Sequence, residues 1–182
     1  LSKKSREVGN ASYYYSATKI MTAGKINVGD KEYKVEGFSW LDREWSTSAL
    51  SDNQKGWDWF SLQLDNNTEI MYYQLRKTNG EIDESSKGSI IFPHGIKENI
   101  KTEDVVLKIT GEWKNPDNKV YPSGWILTIP SRNIKLNIIP SINNQELNVS
   151  LKYWEGSVMI DGIYNGAAVK GMGYVELTGY AD

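Results

Sequence analysis

The sequence predicts an all-β protein: an antiparallel barrel of roughly ten strands, forming a single domain over residues 1–182. Three observations predict this. No stretch of about a dozen residues places its apolar side chains at helical spacing. Segments such as 57–64 alternate instead, with Phe60, Leu62 and Leu64 on one face and Trp57, Trp59, Ser61 and Gln63 on the other. Turn formers recur between such segments at the intervals expected of a barrel or sandwich. Glycine in the two long C-terminal segments favours the barrel, because it permits sharp coiling.

Taken in order, residues 1–10 are a polar lead-in. Residues 12–22 are rich in strand formers. Residues 25–28 and 32–35 flank Gly29-Asp30, a tight hairpin turn. The stretch Gly37-Phe38-Ser39-Trp40-Leu41-Asp42-Arg43-Glu44-Trp45-Ser46 reads as a strand with charges between two tryptophans. Residues 52–56 form a loop, and 57–64 and 68–76 flank Asp65-Asn66-Asn67, where asparagine tolerates left-handed turns. Asn79-Gly80 marks another turn, and the strand 89–92 closes at Pro93. Residues 105–113 alternate; Thr102-Glu103-Asp104 could cap a helical turn, but the β-branched Val105 and Val106 argue for a strand. Residues 125–129 and 134–138 are strands set off by Pro122, Pro130 and Pro140. Residues 147–160 and 169–180 are the last long strands, with Asp161-Gly162 and Asn165-Gly166 between them.

Composition excludes several classes of function. The chain has a net charge of −2 and no basic stripe, so nothing electrostatic calls for nucleic acid. No apolar run is long enough to span a bilayer. Cysteine is absent, which removes disulfides, a thiol nucleophile and thiolate metal sites. The single histidine, His94, sits between Pro93 and Gly95 and reads as a solvated loop residue; alone it supplies no metal site. No metal and no cofactor are expected. Phosphate loops, dinucleotide fingerprints and nucleophile elbows are missing. Asn10-Ala11-Ser12, Asn66-Asn67-Thr68 and Asn148-Val149-Ser150 match the glycosylation pattern, which is too common to assign a compartment. The start, Leu1-Ser2-Lys3-Lys4-Ser5-Arg6, reads as an excised piece.

Aromatic usage is skewed: seven Trp and eleven Tyr against three Phe. Trp and Tyr each join a large apolar body to one polar tip, which suits a pocket wall. In an extended 37–46, Trp40, Asp42 and Glu44 share a face, opposite Leu41, Arg43 and Trp45. The same acid–aromatic pairing returns at Tyr153-Trp154-Glu155-Gly156. It returns again at 174–180, where Tyr174, Glu176, Thr178 and Tyr180 share a face. Gly37, Gly156 and Gly173 lie near these acids and would permit close backbone approach. Asp42, Glu44, Glu155 and Glu176 are thus the candidate catalytic residues. Trp40, Trp45, Trp57, Trp59, Gln74, Trp125, Tyr153, Trp154 and Tyr174 are the candidate ligand-binding residues. The competing reading places these faces in solvent, or ties the acids to Arg43 and Arg76.

The string at 37–46 resembles the lipocalin-like AttH/hydroxyneurosporene synthase family, which includes carotenoid hydratases and proteins labelled predicted secreted hydrolases. So do Gly56-Trp57-Asp58-Trp59-Phe60-Ser61-Leu62-Gln63-Leu64, Tyr73-Gln74-Leu75-Arg76, Tyr121-Pro122-Ser123-Gly124-Trp125, Gln145-Glu146-Leu147, Tyr153-Trp154-Glu155-Gly156 and the run 173–180. The likeness covers nearly the whole chain. It implies a lipocalin-like barrel matching the C-terminal half of a two-barrel protein, an N-terminal lipocalin-like partner domain outside this chain, and a secreted or periplasmic location. The position after Asp42, often histidine in that family, is Arg43 here, which removes that proton carrier.

Two functions from different classes follow. One is the binding of a small hydrophobic ligand, isoprenoid- or lipid-like, in an aromatic-lined barrel mouth. The other is a carotenoid-hydratase-like hydro-lyase that hydrates or cyclises an apolar alkene with acid assistance. There Asp42 or Glu44 would be the acid, Glu155 or Glu176 the base, and Trp45, Trp59 and Tyr153 the walls. Both readings expect the acids and indoles to face an enclosed hollow.

Overall fold

A computed structural model of the chain describes residues 2–5, 9–46, 50–149 and 152–181. The strands are β1 (Ser2–Lys3), β2 (Ala11–Val28), β3 (Lys31–Ser46), β4 (Gln54–Leu64), β5 (Glu69–Lys77), β6 (Lys87–Ile91), β7 (Lys97–Lys101) and β8 (Val106–Ile109). They continue with β9 (Glu112–Lys114), β10 (Val120–Pro122), β11 (Trp125–Ile129), β12 (Ile134–Pro140), β13 (Glu146–Asn148), β14 (Lys152–Tyr164) and β15 (Ala167–Thr178). Three short 3-10 turns, Pro93–Gly95, Thr102–Asp104 and Pro130–Arg132, complete the described elements. No α-helix occurs among the described residues, and no helix there is long and apolar enough to cross a membrane.

Ten strands form one antiparallel sheet in the order β7-β6-β5-β4-β15-β14-β12-β11-β8, with β13 paired to β14 off that path. Its edges, β7 and β8, are consecutive in the chain across the Thr102–Asp104 turn. The sheet therefore curls until its ends return to one place, giving a half-barrel; turn spacing predicted a barrel or sandwich, and the family resemblance implied the lipocalin-like form. The expected helical turn and the expected strand both exist: the turn ends at Asp104 and β8 begins at Val106.

Period-two alternation decides the inside. Phe60, Leu62, Leu127, Leu136 and Val175 point inward and are fully buried. Trp125 and Trp154 join them, with ring centroids 6.1 Å apart, and Phe60 meets Trp125 edge-on at 5.5 Å. The interior near these strands is filled with side chains. The expected ligand space in the barrel is thus replaced by packed core, and Trp125 and Trp154 belong to that core. The Trp154 indole donates to the Asn143 carbonyl at 2.8 Å.

The expected hairpin around Gly29-Asp30 is present but does not join the half-barrel. β2 and β3 pair along almost their whole length, with Gly29 at φ 58°, and β1 adds to their edge. This ribbon leaves the sheet and lies across its outer face. From residue 21 to 38 it is exposed on both faces. The segment 147–160 was expected as one strand; it contains β13 and β14, and Ser150 and Leu151 between them lie outside the described residues, as does part of the lead-in 1–10.

Candidate functional site

The outer face of β4 presents Trp57 and Trp59, and that of β5 presents Met71, Tyr73 and Leu75. These are large apolar groups on a face that would meet water in an isolated sheet. The ribbon covers them. Tyr14 and Trp40 pack on this second apolar cluster, and Trp40 meets Trp59 edge-on at 6.2 Å. Gln63 Nε2 donates to the Thr18 carbonyl at 2.6 Å, and Lys19 Nζ donates to Asn67 Oδ1 at 2.6 Å. These contacts fix the ribbon across β4 and β5.

Between ribbon and sheet lies a cavity of about 480 Å³. Asp42 and Glu44 enter it from β3 and Glu176 from β15, with Trp57, Trp59, Tyr73 and Leu75 as walls. A neighbouring cavity of about 550 Å³ shares Asp42, Trp59 and Glu176 and adds Trp40 and Tyr174. Glu176 thus stands where two spaces meet.

The three carboxylates are held differently. Glu176 is half-buried and accepts a hydrogen bond from Trp57 Nε1 at 2.6 Å. Burial pushes its pKa up; the Trp57 N–H opposes this, and the charges of Glu155, Asp42 and Glu44 add to the rise. Asp42 accepts from the Tyr14 hydroxyl at 2.5 Å. Burial and that bond to Asp42 push the Tyr14 phenol well above its ordinary range. Glu44 is occupied: it accepts from the Ser12 hydroxyl and pairs with Lys4 at 2.7 Å.

Glu155 lies directly opposite Glu176 in the β14–β15 register but does not line either cavity. It accepts from the Tyr174 hydroxyl at 3.3 Å; burial, then the Glu155 charge, raises that phenol to about 12. Tyr153 packs against Trp57 with centroids 6.4 Å apart. Gln74 is turned to the other side of the sheet and donates to Asp58 at 2.9 Å. Trp45 lies on the ribbon's far face, half-exposed against Tyr15 and Arg43, away from both cavities. Alternation explains this: Trp40, Asp42 and Glu44 face the sheet, so Leu41, Arg43 and Trp45 face out.

The competing reading, in which Arg43 and Arg76 tie up some of the four acids, is not what the ion pairs show. Arg43 stacks over Trp45, while Arg76 binds Asp58, Nε to Oδ1 at 3.0 Å. Asp58 is fully buried, and Tyr180 also donates to it at 3.0 Å. Tyr180 does not share the face of Glu176 as the alternation suggested. Gly179, at φ 70°, turns the chain and sends Tyr180 inward, under the Arg76 guanidinium. Among the described residues no three acidic or histidine side chains cluster as metal ligands.

Sequence reasoning did not single out Tyr14 and Lys4, which also line the cavity; Tyr73, of the pair Tyr72-Tyr73 that the sequence offers as an apolar wall, lines it too. Tyr73 Oη shares a hydrogen bond with Ser2 Oγ at 3.0 Å, and Lys4 Nζ lies 4.6 Å from the Tyr73 ring centre. For Tyr14 a partial signal existed: it alternates with Ser12 and Ser16 on one face of a strand.

The sequence profile of the AttH-like family matches residues 1–180. The crystal structure of an AttH protein from Nitrosomonas europaea superposes with a TM-score of 0.87, at 31% identity, over 98% of this chain and 55% of that one. Kievitone hydratase from Nectria haematococca shares the fold, with a TM-score of 0.75 at 16% identity, over 93% of this chain and 53% of that one. A dehydratase of Emericella nidulans, asqC, is 24% identical over 91% of this chain and 50% of its own length. The chain spans about half the length of the relatives it matches.

Proposed function

The chain belongs to the AttH-like family, and from that premise we propose that it adds water to, or removes it from, an apolar alkene or alcohol held between the ribbon and the sheet. One observation carries the reading. Glu176, its pKa raised chiefly by burial, meets Asp42 across a cavity walled by indoles. A carboxylic acid whose pKa an apolar setting raises is suited to act as a general acid. The roles are thus the reverse of those expected from sequence: Glu176 is the acid and Asp42 the base.

In the hydration direction the alkene π pair takes the Glu176 proton and forms the new C–H bond. The resulting cation lies against the faces of Trp57 and Trp59, whose quadrupoles favour positive charge. A water oxygen then forms the C–O bond, and its proton passes to Asp42, oriented by the Tyr14 hydroxyl. The proton returns from Asp42 to Glu176 through solvent. The sum is alkene plus water to alcohol, and dehydration is the same path reversed. That a curated relative is a dehydratase supports this chemistry.

The second reading, binding without turnover, is favoured by the adjoining 550 Å³ cavity, which holds space beyond the reacting groups. Incubation with isoprenoid and prenylated aromatic alkenes in ¹⁸O-labelled water separates the two. A product heavier by one labelled water, lost in Glu176→Gln and Asp42→Asn, supports catalysis. Retained but unchanged alkene supports binding alone.

A further inference from the structure

A separate cleft of about 880 Å³ opens on the other side of Tyr14, between β2, β5, β6 and the Pro93–Gly95 turn. Its floor continues that of the acid site: β5 turns Tyr73 and Leu75 to the site, and Glu69 and Met71 to this cleft. Ala17, Met71, Ile91 and Phe92 give it an apolar strip, beside polar lining from Ser16, Thr18, Asn67 and Ser89. Its charges do not cancel. Glu69 is buried and faces Lys19 at 3.8 Å, so this pair is nearly neutral in sum. Lys97 and His94 remain at the rim, both exposed, and among the described residues Lys97 has no ion pair. His94 is held in the left-handed region, at φ 70°, an uncommon conformation for a residue other than glycine.

We propose that this cleft is a second binding site, for an apolar chain ending in an anionic head such as a carboxylate. The chain lies on Met71, Ile91 and Phe92, and the head meets Lys97 and His94. A cationic head would meet Lys97 as a like charge. An uncharged polar head would gain hydrogen bonds at the rim but no ion pair. The volume lies within the range of small-molecule pockets. The proposal does not depend on the acid chemistry at Glu176.

Calorimetric titration with decanoate and with 1-decanol tests it, since the two share a chain and differ in head group. The expected result is tighter binding of decanoate, by about threefold, the worth of one exposed ion pair. Lys97→Glu, at an exposed position, then weakens decanoate by about tenfold and leaves decanol within about twofold. Equal affinities, loss of both ligands in Lys97→Glu, or binding of neither overturns the proposal. The readout is heat of binding, so Glu176→Gln binding decanoate like the parent chain separates this result from any failure of the hydration reading.

Discussion

At the scale of single residues, the account turns on how three carboxylates on one cavity are tied. Among the described residues Glu176 has a single neutral donor, Asp42 has a phenol, and Glu44 has a lysine and a hydroxyl. General acid–base groups typically contribute about 10²–10⁴-fold, so Glu176→Gln and Asp42→Asn should each lower turnover by about that much. Glu44→Gln should change turnover only about twofold and stability by less than about 1 kcal/mol, because Glu44 is already tied to Lys4 and its own side chain is 39% exposed. Stability measures the same acid independently. A raised folded pKa means that the fold binds the proton more tightly than the unfolded chain. That stabilisation is complete below the ordinary glutamate value of 4.5 and is lost as pH rises through the raised folded value. Glu176→Gln cannot ionise, so its melting temperature should exceed that of the parent chain at pH 8 and match it near pH 4. The acids and indoles were legible in the sequence as a recurring pattern. Which acid is desolvated was not, because desolvation depends on what lies across the gap.

At the scale of elements, faces were legible and registers only partly so. Counting back from the Gly29-Asp30 turn, Val28 pairs with Lys31 and Ile20 with Ser39, which would set Tyr15 opposite Glu44. A bulge between Ala17 and Ile20 shifts the pairing by one, and Tyr14 faces Glu44 instead. Nothing in the residue pattern announces that bulge. Glycine shows the same division. A Cβ at Gly173 would strike the Ser61 carbonyl oxygen, whereas Gly37 has open space around it. Gly173→Ala should cost about 1–3 kcal/mol and Gly37→Ala less than about 0.5 kcal/mol in urea unfolding. The Asp58–Arg76 pair joins β4 to β5, and Arg76 also donates to the Thr178 carbonyl just past Glu176. Arg76→Met strands a buried carboxylate and should cost about 3–5 kcal/mol in the same measurement.

At the scale of the whole molecule, two apolar faces share one sheet. The inner face makes the core, and the outer face of β4 and β5 makes the site once the ribbon crosses it. Turn spacing and alternation predicted the curled sheet. They did not predict that the hairpin leaves it, because alternation marks an apolar face without saying what covers that face. A two-stranded ribbon is marginal by itself. Amides of residues 21–38 should therefore exchange with solvent far faster than those of β11, β12 and β14. We propose that the half-barrel unfolds as one unit, with a single transition in those protected strands. The central claim is that covering the outer face of the sheet raises the pKa of Glu176 beside Asp42. Carbon-13 NMR titration of the Glu176 carboxyl tests it most directly. The account predicts a midpoint above 4.5, rising further in Trp57→Phe, where the opposing N–H is gone. A midpoint at or below 4.5, unmoved by Trp57→Phe, would contradict it.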